Sequence, residues 1–213
     1  MPLQNRVTPF GAIAALAGRG SMMGNRGILH DDQRRIVRPW QVRRWITCVT
    51  EFRGRRRAVM QPHRYTELFF LDEASAFAAG HRPCAECRNA DYRRFRELWK
   101  TRHGEPSNAD AMDDVLHAQR LAGREKRTYR DDLAGLPDGA YVALDGRAWL
   151  VWGDDLYEWT DRGYADRRPR RGSGDLEVLT PRAIVAVLRA GYRPGVHPTV
   201  TSDEARKGTH GGS

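Results

Sequence analysis

The sequence predicts an α+β fold: a β-hairpin and helix module centred on a cysteine pair, packed with a small antiparallel sheet and closed by a C-terminal helix. Three observations predict it. Apolar residues recur at helical spacing in Tyr92, Phe95, Leu98 and Trp99 and again in Met112, Val115, Leu116 and Leu121. Short runs rich in β-branched and aromatic residues, separated by Asp145-Gly146 and Gly153-Asp154, form a block of their own further along. Between the N-terminal strand candidates and the helices stands Cys84-Ala85-Glu86-Cys87, whose spacing lets two thiolates face one ion.

In chain order, residues 1–39 are irregular, with scattered glycine and proline, and read as an ordered loop or a flexible arm. Residues 45–52 read as a strand, Arg53-Gly54 as a turn and residues 55–60 as the returning strand, giving a hairpin with a strongly basic tip. Residues 65–71 are a further strand. Asp72 then caps a short helix that Gly80 stops in the left-handed conformation. A longer helix covers residues 89–100. Gly104 and Pro106 break it, and Ser107 caps a third helix ending near Gly123. Residues 124–130 read as a basic linker, residues 140–144, 147–152 and 156–159 as strands, and residues 160–174 as an arginine-loaded loop. A last strand at residues 176–179 leads through Thr180-Pro181 into a helix ending at Gly191. The domain plan is a module over residues 1–125, a β-rich subdomain over 126–200 and a disordered tail over 201–213. At this size the halves must share a core.

Composition bounds the function. The chain has 213 residues, 40% of them apolar and 30% charged, as in a charge-rich globular protein. No uncharged apolar window is long enough to span a bilayer, so no membrane partner is expected. Three cysteines, an odd number, disfavour a disulfide scaffold and suit a reducing cytoplasmic setting where a close pair holds metal. Lysine and arginine number 36 against 27 acidic residues, a formal charge of +9, which favours a polyanionic partner: DNA or RNA.

Cys84 and Cys87 are candidate zinc ligands, and Cys48, the remaining thiol, is the third. His30, beside two aspartates that would fix its ring, is preferred as fourth ligand over His63, and His81 adjoins the pair. Candidate nucleic-acid contacts are Arg53, Arg55, Arg56 and Arg57 at the hairpin tip and Arg88, Arg93 and Arg96 on the following helix, with a further patch from Arg162 to Arg171. Trp40, Trp45, Trp149, Trp152 and Trp159 offer stacking faces for unpaired bases. Glu67, in a mostly apolar strand, is the acid–base candidate.

The stretch from Phe70 through Asp72-Glu73-Ala74-Ser75-Ala76-Phe77-Ala78-Ala79-Gly80-His81-Arg82-Pro83-Cys84-Ala85-Glu86-Cys87-Arg88 resembles the second half of the Ada-type zinc-binding domain of DNA alkylation-response proteins, over residues 69–88. The resemblance implies that Cys84 and Cys87 are the C-terminal pair of zinc ligands. The upstream Cys-x-x-x-Cys pair of that family is missing here, since Phe52 stands where the second cysteine would follow Cys48. A Cys₃His zinc site is therefore implied, and the family's methyl-accepting activity is not carried over.

The expected function is a zinc-stabilised nucleic-acid-binding protein, acting in DNA repair or modification. One alternative is a zinc-dependent enzyme of deaminase or nuclease type working on nucleic acid or nucleotides, with zinc or Glu67 near a pocket between the halves. Pro83-Cys84-x-x-Cys87 fits half of the deaminase signature, but Glu51 and Glu67 stand too far from Cys48 and His63 to complete it. The other alternative is an interaction module without nucleic acid.

Overall fold

Two six-stranded sheets and four α-helices make up the mixed α+β architecture of the computed structural model, which describes residues 1–54, 58–171 and 174–200. The expected tail at 201–213 and the arginines Arg55, Arg56 and Arg57 lie outside the described residues.

The first sheet takes three of its six strands from the segment 1–39 that looked irregular, and two others from the expected strands at 45–52 and 65–71. It contains β1 (Arg6–Val7), β2 (Ile13–Ala14), β3 (Met22–Asn25), β4 (Ile46–Val49), β5 (Leu68–Phe70) and β6 (Arg82–Pro83), in the order β2-β1-β5-β3-β4-β6. β3 lies between β4 and β5, where Gly24 lets the backbones close in. A Cβ at this position would stand 2.3 Å from the Ile46 carbonyl oxygen and 3.0 Å from the Phe70 ring. Glycine inside a strand carries no β signal, so the pairing was hidden from the sequence.

Of the returning strand expected at residues 55–60, residues 55–57 lie outside the described residues and residues 58–60 form no strand. Both edges of β4 are taken, one by β3 with Met23 opposite Cys48, the other by β6 running parallel with Thr47 opposite Pro83.

Asp72 caps α1 (Glu73–Ala78) through a capping box with Ser75, and Gly80 follows at φ +83°. Every residue of α1 is buried. Its small side chains explain why: Ala76 packs with Val7, Leu68 and Phe70, Ala74 and Ala78 with Tyr141 and Leu150, and Phe77 with Phe95 and Trp149. Alanine lets the helix sit where three apolar clusters meet. Next come α2 (Asn89–His103), which buries Phe95 and Trp99, and α3 (Ala109–Arg120), which buries Met112 and Leu116. The α3 cap is Asn108, one residue beyond the expected Ser107, with its side chain accepting from the Ala111 amide at 2.9 Å.

A two-stranded ribbon, β7 (Leu121–Ala122) with β8 (Glu125–Lys126), leads to the second sheet. This sheet holds β9 (Tyr129–Asp132), β10 (Tyr141–Leu144), β11 (Arg147–Trp152), β12 (Asp155–Thr160), β13 (Gly163–Pro169) and β14 (Asp175–Val178), all antiparallel, in the order β13-β12-β11-β10-β14-β9. Its three central hairpin strands follow the expected turns, with Asp145 and Gly146 both at positive φ. Its two edges do not follow expectation: β13 occupies the expected arginine loop and β9 overlaps the expected basic linker. Both are polar edge strands, the composition that keeps an open ladder from pairing with another chain and erases the apolar alternation. α4 (Arg182–Arg189) closes the fold, with Pro181 just ahead of it. Val142, Trp149 and Val151 of this sheet bury against Phe95, Trp99, Met112, Leu116 and Ile184 of the helices, so residues on both sides of position 125 share one core.

Candidate metal centre

The parallel register of β4 and β6 positions the cysteines. The Cys84 amide donates to the Thr47 carbonyl at 2.9 Å, which brings Cys84 alongside Cys48. A tight turn follows, closed by the Arg88 amide on the Cys84 carbonyl at 3.2 Å, and returns Cys87 to the same place. The sulfurs of Cys48, Cys84 and Cys87 all lie within 4.8 Å of one another and could hold a metal ion.

Hydrogen bonding already prepares one thiolate. The Glu86 amide donates to Cys84 Sγ at 3.4 Å. The hydrogen bond from Cys48, supported by the Cys87 and Glu86 amides, lowers the Cys84 thiol to about 5, against the opposing effect of burial. The Cys48 thiol is correspondingly pushed up, by that same hydrogen bond and by burial. Burial raises Cys87 as well, opposed by the Val49 amide. A single negative charge suits this cluster without metal; three ionised sulfurs at this spacing require a cation among them.

His30 is not brought to the sulfurs. It is buried, with Nδ1 2.6 Å from Thr66 Oγ1 and Nε2 3.2 Å from the Gln61 carbonyl oxygen, so both ring nitrogens are engaged within its own loop. This corrects the expected fourth ligand. Neither His63 nor His81 replaces it: among the described residues the group contains the three cysteines alone. His81 is fully buried between Trp45 and Phe70, and its Nε2 accepts from Arg26 Nε at 3.3 Å.

A cavity of about 400 Å³ opens beside the sulfurs, lined by all three cysteines together with Asn25, Tyr65 and Glu67. Its walls come from residues 23–87, so it lies within the N-terminal sheet and not between the two halves. Glu67 is 5% exposed, and its Oε2 accepts from the Met60 amide at 2.7 Å. Asn25 is a lining residue that the sequence did not single out. Its place depends on β3 pairing with β4, which no local pattern announced.

Several arginines expected to contact nucleic acid serve the fold. Arg88 is buried and bonded to Glu73 and Asp91, each at 2.7 Å, so its charge is not offered to a phosphate. In the expected patch from 162 to 171, Arg167 pairs with Asp155, Arg168 lies over Trp149 and reaches Asp145 at 3.2 Å, and Arg170 donates to the carbonyls of Leu133, Ala134 and Leu136. Arg93 is exposed; Arg96 is exposed too, with Nε donating to the Ser107 carbonyl at 3.0 Å. Arg53 is exposed over the Phe52 ring at 4.9 Å. Of the tryptophans, Trp45 and Trp149 are buried and offer no stacking face to a strand of nucleic acid, while Trp40, Trp152 and Trp159 are half-buried.

No helix among the described residues is long and apolar enough to cross a membrane. Comparison with family models, curated proteins and solved structures gives no match for the chain.

Proposed function

We propose that Cys48, Cys84 and Cys87 hold a zinc ion, and that the chain is a zinc-dependent enzyme acting on a small substrate in the adjoining cavity. The observation that carries this reading is that three thiol ligands, with no fourth ligand among the described residues, line the same cavity as a buried carboxylate. Thiolates are soft ligands suited to zinc, and a zinc site with three protein ligands keeps a Lewis-acidic position for a substrate or water. The cysteines fix the ion to the β4–β6 junction. Glu67, held by the Met60 amide, stands outside the sulfur group and is the residue to carry a proton to or from whatever occupies the cavity. The reaction class that fits is hydrolytic, including deamination. Cobalt substitution tests it. An open position makes the visible spectrum of the cobalt protein respond to added azide, whereas a spectrum indifferent to azide reveals a fourth protein ligand and removes the enzyme reading.

A second reading, nucleic-acid binding, is supported by the charge of +9 and by Arg53, which follows Phe52 on the cavity wall. The exposed Arg93, Arg94 and Arg102 of α2 add to it. Binding to a random oligonucleotide is expected to weaken steeply with salt. No binding at low salt would remove this reading, with or without zinc.

A further inference from the structure

A second cavity, of about 610 Å³, shares no lining residue with the first and is bordered by Arg26, Arg120 and Lys126. We propose that it binds a phosphate monoester carrying a flat ring, of which a nucleoside monophosphate is the simplest member.

Two of its cations are core residues. Arg26 is 2% exposed and Arg120 1%, and each guanidinium carbon lies 4.0 Å from the ring centre of the buried Trp45. Their hydrogen bonds go to neutral acceptors: Arg26 to His81 and to the carbonyls of Gly11 and Pro39, Arg120 to His117 and to the carbonyls of Gly80 and Arg43. Lys126, half-buried, donates to the Ala78 carbonyl at 2.5 Å. Arg26 Nη2 and Arg120 Nε are buried and meet no acceptor among the described residues.

Among the described residues no carboxylate forms an ion pair with Arg26, Arg120 or Lys126. Glu125, on the cavity rim, is exposed, and Asp113, the acid nearest in effect to Arg120, gives both its oxygens to Arg82. Burial pushes Arg26 and Arg120 down to about 9, for Arg26 with added repulsion from Arg120. Lys126 falls to about 7 through burial and the charges of both arginines. Buried cations are normally paired, because desolvating a charge without an opposite one is costly. Three of them around one cavity are a receptor for a compact dianion, with guanidinium forks matched to phosphate oxygens.

The rest of the wall selects what the phosphate carries. Phe10, Ile13, Pro39 and Trp40 give the cavity an apolar side, and Trp40 is edge-on to His117 at 4.7 Å, leaving it half-buried. The volume falls in the range of small-ligand sites and exceeds what a bare phosphate fills. None of the three cysteines lines this cavity.

Calorimetric titration with AMP, adenosine and inorganic phosphate tests it, using the full chain and its Lys126→Met and Arg26→Gln variants. AMP is expected to bind more tightly than inorganic phosphate, and adenosine not at all. Each variant should weaken AMP at least tenfold, roughly the loss of one charge-assisted contact. Should Arg26→Gln fail to fold, Lys126→Met stands alone. That variant should melt at a higher temperature than the parent in anion-free buffer, because one unpaired charge is gone, and should lose the AMP-induced rise in melting temperature. Three outcomes overturn the proposal: no binding of AMP at millimolar concentration, adenosine or phosphate matching AMP, or unchanged AMP affinity in Lys126→Met.

Discussion

Cys84→Ser is expected to release zinc and to lower the thermal midpoint in a zinc-containing buffer, while leaving the protein folded. Cys84 is the ligand to remove because it sits at the junction: its amide is fixed to Thr47, and its sulfur receives the Glu86 amide and the Cys48 thiol. The ion would tie β4 to the turn that opens α2, two elements otherwise joined through a strand of only two residues, β6. The fold does not depend on the metal in the way a zinc finger does, since the large cluster around Trp149, Phe95 and Ile184 involves none of the cysteines. The loss is therefore a linkage effect. Free zinc at about a hundred times its dissociation constant stabilises by about 2.7 kcal/mol. For a chain of this size that is a shift of about 5–10 °C. Chelator should bring the parent protein down by the same amount and leave Cys84→Ser unmoved. Equal midpoints for parent and variant in zinc, with no metal found by elemental analysis in either, would remove the metal centre.

Local signals carried much of the fold. Asp72 and Gly80 bracket α1, Asp145-Gly146 turns the central hairpin of the second sheet, and Phe95 and Trp99 of α2 and Met112 and Leu116 of α3 mark their buried faces, whereas Val115 of the expected α3 stripe is exposed. Each of these depends on residues close in sequence. The first sheet was legible only at β4 and β5, because its strands are two to four residues long and β3 contains Gly24, so its order follows from partners far apart along the chain. The same division runs through the site. Cys84 and Cys87 were legible from spacing, and Cys48 from being the one remaining thiol. The expected fourth ligand, His30, rests on its two aspartate neighbours alone, and the structure gives that ring to Thr66 and Gln61, which lie 36 and 31 residues away. Of the arginines expected to contact phosphate, Arg88 and Arg167 go to ion pairs and Arg170 to a carbonyl clamp, while Arg53 and Arg93 stay exposed. Composition reports how many charges a chain carries and nothing about where its carboxylates will stand.

Asp113→Ala is expected to destabilise the protein more than any exposed ion-pair variant and to weaken zinc binding from a distance. Asp113 on α3 meets Arg82 on β6 through two hydrogen bonds, 3.0 Å from Nε and 2.7 Å from Nη2, and the two side chains are 4% and 2% exposed. Removing one partner leaves a buried guanidinium uncompensated, beside an Arg120 that Asp113 also serves. Breaking such a pair costs about 3–5 kcal/mol. That corresponds to about 6–20 °C in the thermal midpoint. The exposed pair between Arg44 and Asp110, whose acid lies on the same helix, should be worth about 1 kcal/mol or less. The effect should reach the cysteines because Arg82 pairs with Ile46 across β6 and β4, and Cys84 stands two residues beyond it. An unpaired Arg82 that turns toward water pulls this register apart and separates the Cys84 sulfur from Cys48. The double variant Arg82→Met/Asp113→Leu removes both charges while keeping an apolar filling, so it should recover most of the stability. If zinc affinity recovers with it, the ion pair acts on the metal by holding β6 in place. If stability returns while zinc affinity stays low, Arg82 itself contributes to the site, and the mechanical account fails.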